Sequence, residues 1–155
     1  MVKNLQGWRV SDGKRVKTVV KSLSGASVND MFDYIQPTIR QHPEHIVLHV
    51  GTNDLKNSNP RKVAERIVDL GKLVETESPN IKVTISSLLT RSDLSVASKI
   101  KEVNKILKTF ANQNEWDVIS HSNLTTENLN SSGLHLNFSG TKVFASNVIG
   151  NVRNI

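Results

Sequence analysis

Two hydrophobic periods alternate along this chain, and that alternation limits the folds open to it. "HIVLHV", residues 45–50, is a continuous apolar run of the kind found in a strand covered on both faces. Beyond it, Val63, Ala64, Ile67, Leu70 and Val74 recur at helical spacing, with Asn59 placed to cap the helix and Pro60 at its first position. "IKVTISSLL" reads as the next strand. Leu94, Ala97, Ile100, Val103, Leu107 and Phe110 mark a second amphipathic helix. A short strand around "WDVIS" follows, and Val143, Phe144, Val148, Ile149 and Val152 mark a C-terminal helix. Upstream, "KRVKTVVKSL" alternates and is β-branched, as a strand should be, and "VNDMFDYIQPTIRQ" has helical spacing that Pro37 should kink or end.

Strand, helix, strand, helix is the order of an α/β chain, a mainly parallel sheet between helical layers in a three-layer α/β/α sandwich. At 155 residues one domain over 1–155 is expected. In such sheets ligands bind beyond the carboxyl ends of the strands. That rule selects three polar loops: "SGAS" (24–27), "GTND" (51–54) and the stretch carrying "GLHLN" (133–137).

Composition removes several chemistries. The chain has no cysteine, so it has no thiolate nucleophile, no disulfide and no thiolate-rich zinc site. No window supplies the roughly 18 apolar residues of a membrane helix, and no metal or organic cofactor is expected. An intracellular, cytoplasmic location is the default expectation. The formal charge of +6 permits nucleic acid or anionic lipid as a partner. The cations are scattered, however: Lys14, Arg15, Lys17 and Lys21, then Lys99, Lys101, Lys105 and Lys108. Aromatics are only 5 %, too few for an evident base-stacking platform.

Within the three loops, His135 is the candidate general base, because a neutral imidazole can take and return a proton near neutral pH. His42, His45, His49 and His121 lack a comparable loop context. Asn53 and Gly25 are candidate oxyanion donors, through a side-chain amide and a backbone N–H. Taken singly, each is equally a turn residue: Gly25 for its backbone, Asn53 and Asp54 for bonds to their own loop.

"SLSGAS", "HVGTNDL" and "GLHLNFSG", in this order on this pattern, resemble the later blocks of the SGNH (GDSL-like) hydrolases. More closely, they resemble the esterase domain of the first open reading frame of some LINE-type retrotransposons. The resemblance implies a flavodoxin-like sandwich and hydrolysis of acetyl or lipid esters. Gly25 and Asn53 would be the oxyanion donors and His135 the base, with Gly51 and Asp54 supporting the turn.

The sequence departs from that pattern twice. The related proteins open on a strand ending in G-D-S, whose serine is the nucleophile, and this sequence has no G-D-S. "MVKNLQGW" resembles the helix after that serine. The domain is therefore expected to be N-terminally incomplete, to lack the first central strand and to be inactive. A non-catalytic basic binding module is the alternative. Ser11, Ser22 and Ser24 are weak substitutes for the nucleophile. Secondly, the aspartate often found three residues before the histidine is here Ser132, and Glu127 is the nearest upstream carboxylate.

Overall fold

The computed structural model describes Leu5, Gly7 and residues 17–152. It is an α/β structure with a parallel sheet and helices. Its elements run α1 (Val28–Tyr34), α2 (Gln36–Ile39), β1 (His45–Leu48), a 3₁₀ turn (Asp54–Lys56), α3 (Pro60–Glu77), β2 (Lys82–Ser86), α4 (Ala97–Gln113), β3 (Asp117–Ile119), a second 3₁₀ turn (Thr126–Asn128) and α5 (Phe138–Val152). The sheet order is β1-β2-β3, and β1 pairs in parallel with β2, Ile46 beside Val83 and Leu48 beside Ile85. The chain forms two compact units. One is Gly25–Leu88 with Val96–Val118, and the other is Met1–Ser24 with Leu89–Ser95 and Ile119–Ile155.

In the first unit the apolar patterning determines the core. Val63, Ala64, Ile67, Leu70 and Val74 of α3 are all buried, as are Ile100, Val103 and Leu107 of α4. Ala111, rather than Phe110, completes the α4 stripe. The Asn59 side chain accepts from the Lys62 N–H at 3.2 Å and caps α3, with Pro60 at its first position. Pro37 acts as expected: α1 stops at Tyr34, and Pro37 lies in the first turn of α2, where its missing N–H leaves no bond unmade.

The run "HIVLHV" contributes an apolar surface to only one face of the sheet. Ile46, Leu48, Val83 and Ile85 form one buried apolar face. On the opposite face His45 Nε2 meets Thr84 Oγ1 at 2.7 Å and His49 Nδ1 meets Ser86 Oγ at 3.0 Å. Thr84 and Ser86 are buried, and these bonds satisfy hydroxyls that water cannot reach. A similar polar stitch ties the chain after α4 to α3. Trp116 lies against Gly71 of α3, its Nε1 donates to Glu75, and it is 6 % exposed.

The second unit holds α5, which buries Phe144, Ala145 and Val148. The expected strand over "KRVKTVVKSL" is not formed in its described part: residues 17–23 belong to no strand, and Val19 is 65 % exposed. Alternating β-branched residues supply strand propensity, but a strand also requires a ladder partner and a face to bury. Lys14 and Arg15 lie outside the described residues, and of "MVKNLQGW" only Leu5 and Gly7 are described.

A Cβ at Gly71 would collide with the six-membered ring of Trp116. Gly71→Ala is therefore expected to destabilise the fold by about 2 kcal/mol, overpacking outweighing the better helix propensity. Urea unfolding followed by circular dichroism measures this, and an unchanged or raised midpoint would show that the indole moves aside freely.

Candidate active site

The turn after β1 is built by packing below and hydrogen bonds above. Gly51 has φ +111°, a conformation that L side chains rarely adopt, and a Cβ there would stand 2.8 Å from Ile67 Cδ1 and 3.2 Å from Val63 Cγ1. The chain thus passes close over α3 before rising into the 3₁₀ turn. Leu55, fully buried, anchors that turn. From α4, the Lys99 ammonium donates to the Leu55 carbonyl at 2.9 Å and reaches the Ser58 carbonyl at 3.5 Å. Lys99 therefore belongs to the scaffold of this turn rather than to a solvated basic face.

Above this base, Asn53 and Asp54 bind the 25–28 loop. Asn53 Nδ2 donates to the Ala26 carbonyl at 3.0 Å, which occupies one of its two amide hydrogens. The Val28 N–H reaches both Asp54 carboxylate oxygens at 3.2 Å. Burial raises the Asp54 pKa, and the Val28 N–H opposes part of that rise. Ser27 caps α1 in a reciprocal box with Asp30. Gly25 precedes it with φ +78° in an exposed turn; nothing lies within 4 Å of where its Cβ would be, so conformation alone selects glycine there. Gly25, Gly51, Asn53 and Asp54 are thus assembled within one unit.

His135 belongs to the other unit, in the 129–137 loop closed by the Leu129–Leu136 bridge. The Asn130 N–H donates to the His135 carbonyl at 2.7 Å, and the His135 N–H returns to Asn130 Oδ1 at 3.3 Å. Asn137 secures the loop's exit. Its Nδ2 donates to the Glu127 and Leu129 carbonyls, and its Oδ1 accepts from Gly140 N at the start of α5. Ser132 is occupied locally, its hydroxyl donating to Asn130 Oδ1 at 2.7 Å. Glu127 bonds this loop through its backbone carbonyl. The carboxylate that sequence reasoning missed is Asp93: hydrogen bonds from Arg91 hold it below its ordinary pKa despite some desolvation, and the charge of His135 adds a weaker pull. "LLTRSDLS" follows strand β2, so the carboxyl-end rule could have drawn attention to it.

His45, His49 and His121 are structural by their surroundings. His49 and Ser86 have the hydrogen bond of a nucleophile–base pair, but Ser86 is 1 % exposed, beyond the reach of an ester carbonyl. His121, 6 % exposed, stacks on Phe144 with ring centroids 4.5 Å apart. Its Nδ1 lies 3.0 Å from Asn147 Nδ2, and because an amide N–H can only donate, Nδ1 accepts and the proton sits on Nε2. Burial pushes its pKa down to about 4. Of the serines weighed as nucleophiles, Ser22 and Ser24 are exposed, and Ser11 lies outside the described residues.

This fold is shared with known hydrolases. A GDSL-like lipase from Bacteroides thetaiotaomicron is similar over 88 % of this chain and 75 % of its own, with a TM-score of 0.77 at 16 % identity. A carbohydrate esterase of family 3 from Talaromyces cellulolyticus is similar over 93 % and 74 %, also with TM-score 0.77, at 18 % identity. A lipase/acylhydrolase from Enterococcus faecalis is similar over 84 % and 72 %, with TM-score 0.73 at 17 % identity. No family model matches the sequence, and no curated protein matches it. The shared property is the fold of GDSL-like lipases and esterases. Among the described residues, no helix is long and apolar enough to cross a membrane, and no group of three or more His, Cys, Asp or Glu could hold a metal ion.

The His121 shift has a definite sign. Its folded pKa, about 4, lies below its ordinary 6.5, so between those values the unfolded chain takes up a proton that the folded chain refuses. Stability is expected to fall by about 3 kcal/mol as pH drops through that window, at ~1.4 kcal/mol per pKa unit. His121→Gln should flatten this limb in a series of urea titrations. A limb equally steep in the variant would assign the acid sensitivity elsewhere.

Proposed function

We propose that this chain carries the oxyanion-binding and base elements of an SGNH-type acyl-ester hydrolase. The observation that carries this reading is the Asn53 amide, exposed and held against the 25–28 loop by the Ala26 carbonyl. It stands in a fold shared with GDSL-like lipases and esterases. In the reaction, a serine hydroxyl attacks the ester carbonyl while His135 takes its proton. The carbonyl oxygen becomes an anion stabilised by the Gly25 N–H and the second Asn53 amide hydrogen. Collapse expels the alcohol, protonated by His135, and water then releases the acyl group by the same steps in reverse order.

Acetate is the simplest acyl group to consider, since a mutant acetyl esterase of this fold was solved with acetate ion; it is similar over 93 % of this chain, with TM-score 0.75 at 19 % identity. The likeness of the three sequence blocks to LINE-type esterase domains is consistent with acetyl or lipid esters. The sequence contains no G-D-S serine. We therefore read these residues, taken by themselves, as a hydrolase-like domain that carries the oxyanion donors and the base but does not turn over.

A fluorophosphonate probe tests the second half of this reading, because it labels only activated serines. Intact mass should show no adduct, whereas a single mapped adduct would reveal a nucleophile and overturn the inactive reading. In a form supplied with a nucleophilic serine, Asn53→Ala should lower kcat by about 10²–10³. An unchanged rate would remove Asn53 from the oxyanion role.

One observation favours binding of a polyanion as a second reading. Lys101, Lys105 and Lys108 are all exposed and recur along one stripe of α4. Such binding to nucleic acid or anionic lipid should weaken steeply with salt and ignore Asn53→Ala, while salt-insensitive binding would contradict it.

A further inference from the structure

We propose that Asp93, aligned by Arg91, is the carboxylate that positions and charges the His135 imidazole, a task for which Ser132 has no charge. The inference rests on the reading of His135 as the base and assigns it a charged neighbour from the 91–95 loop.

The geometry begins two residues before the histidine. The Ser92 N–H donates to the Gly133 carbonyl at 2.9 Å, joining the 91–95 loop to the loop that carries His135. The approach is close: a Cβ on Gly133 would collide with Ser92 Oγ and stand 2.9 Å from Asp93 N. Only a residue without a side chain allows this packing, so the Asp93 backbone is held beside the segment that leads into His135.

The Asp93 side chain is held as firmly as its backbone. Arg91 is 7 % exposed, its Nε donates to Oδ1 at 2.8 Å, and its Nη2 donates to the other carboxylate oxygen. A forked guanidinium fixes the plane of a carboxylate as well as its position. The buried guanidinium also keeps Asp93 ionised across the range in which a histidine titrates. Ser132, by contrast, gives its hydroxyl hydrogen to Asn130 and bears no charge.

Among the described residues of this unit, the charged groups on segments packed against the His135 loop are Arg91 and Asp93 on the 91–95 loop, Glu127 on the second 3₁₀ turn and Lys142 on α5. Lys142 is directed to the Phe138 ring, 4.4 Å from its centroid. Glu127 is exposed. Arg91 and Asp93 therefore form the fixed electrostatic setting, one cation and one anion. Neutralising Asp93 alone both removes an attractive charge and exposes His135 to the Arg91 cation. Both changes disfavour the imidazolium, so they act in the same direction.

The test is an NMR titration of the His135 ring in the whole chain, with its signal assigned by its loss in His135→Gln. Asp93→Asn should lower the titration midpoint by about 0.5–1 pH unit, Asp93→Glu should restore most of the shift, and Ser132→Ala should leave the midpoint where it was. Coincident curves for Asp93→Asn and the unmodified chain would overturn the proposal. So would a Ser132→Ala shift as large as that of Asp93→Asn. Should Asp93→Asn unfold the loop by stranding Arg91, the unmodified protein still decides. There the Asp93 carboxyl ¹³C signal should show a small second step at the His135 midpoint, and a curve without it would contradict the pairing. None of these readouts needs hydrolysis. In a form supplied with a nucleophilic serine, unchanged ester turnover in His135→Gln would remove His135 from catalysis and leave the Asp93 pairing to stand or fall on the titration.

Discussion

Asp54 holds the first amide of α1, and the first unit's candidate site depends on that hydrogen bond. Asp54 and Val28 are far apart in sequence and lie on opposite sides of β1, yet the Val28 N–H reaches both carboxylate oxygens at 3.2 Å. The bond places the start of α1 against the turn that leaves β1. Asn53, the adjacent residue, can then reach the Ala26 carbonyl. Burial disfavours the Asp54 charge and raises its pKa, so the site keeps this carboxylate despite an opposing desolvation term. Below it, the close passage at Gly51 and the Lys99 ammonium on two carbonyl oxygens fix the height and direction of the turn. A side-chain amide intended to meet a developing charge needs this kind of restraint, since preorganisation is what makes such a donor effective.

Several of these parts were legible in the sequence, because they act locally. The α3 stripe, the Asn59 cap and the break at Pro37 are rules of one or two turns of chain, and the structure follows them. "GTND" was legible as a turn at the carboxyl end of a strand for the same reason. The partners of Asn53 and Asp54 were not, since no spacing within 51–54 names Ala26 or Val28. The polar face of the sheet was hidden differently. "HIVLHV" reads as a continuous apolar run only if its histidines are counted as neutral fillers, and the Thr84 and Ser86 hydroxyls that satisfy them lie on another strand. "KRVKTVVKSL" shows the opposite failure, with strong propensity but no strand over residues 17–23. Asp93 is not singled out by the sequence because the resemblance directs attention to position 132, whereas the 91–95 loop meets the loop of His135 through a contact at Gly133.

The histidines show how one residue type is divided among tasks by its surroundings. His121 is kept neutral by burial and by an amide that can only donate to it. Burial, with the Lys82 charge adding to it, lowers the His45 pKa, and its ring is used to satisfy Thr84. His135 is only partly buried and lies in the same unit as Asp93, the carboxylate proposed as its partner. Desolvation sets His45 and His121 apart from an ordinary histidine.

The central proposal is that Gly25 and Asn53 form an anion-stabilising pair, whether or not a nucleophile is present. The most direct measurement is a titration of ¹⁵N-labelled protein with sodium acetate at constant ionic strength, following the Gly25 backbone amide and the Asn53 side-chain amide. The account predicts that these signals move together and saturably, and that Asn53→Ala abolishes the Gly25 shift. Signals that stay in place at Gly25 and Asn53 while exposed lysines respond would contradict it.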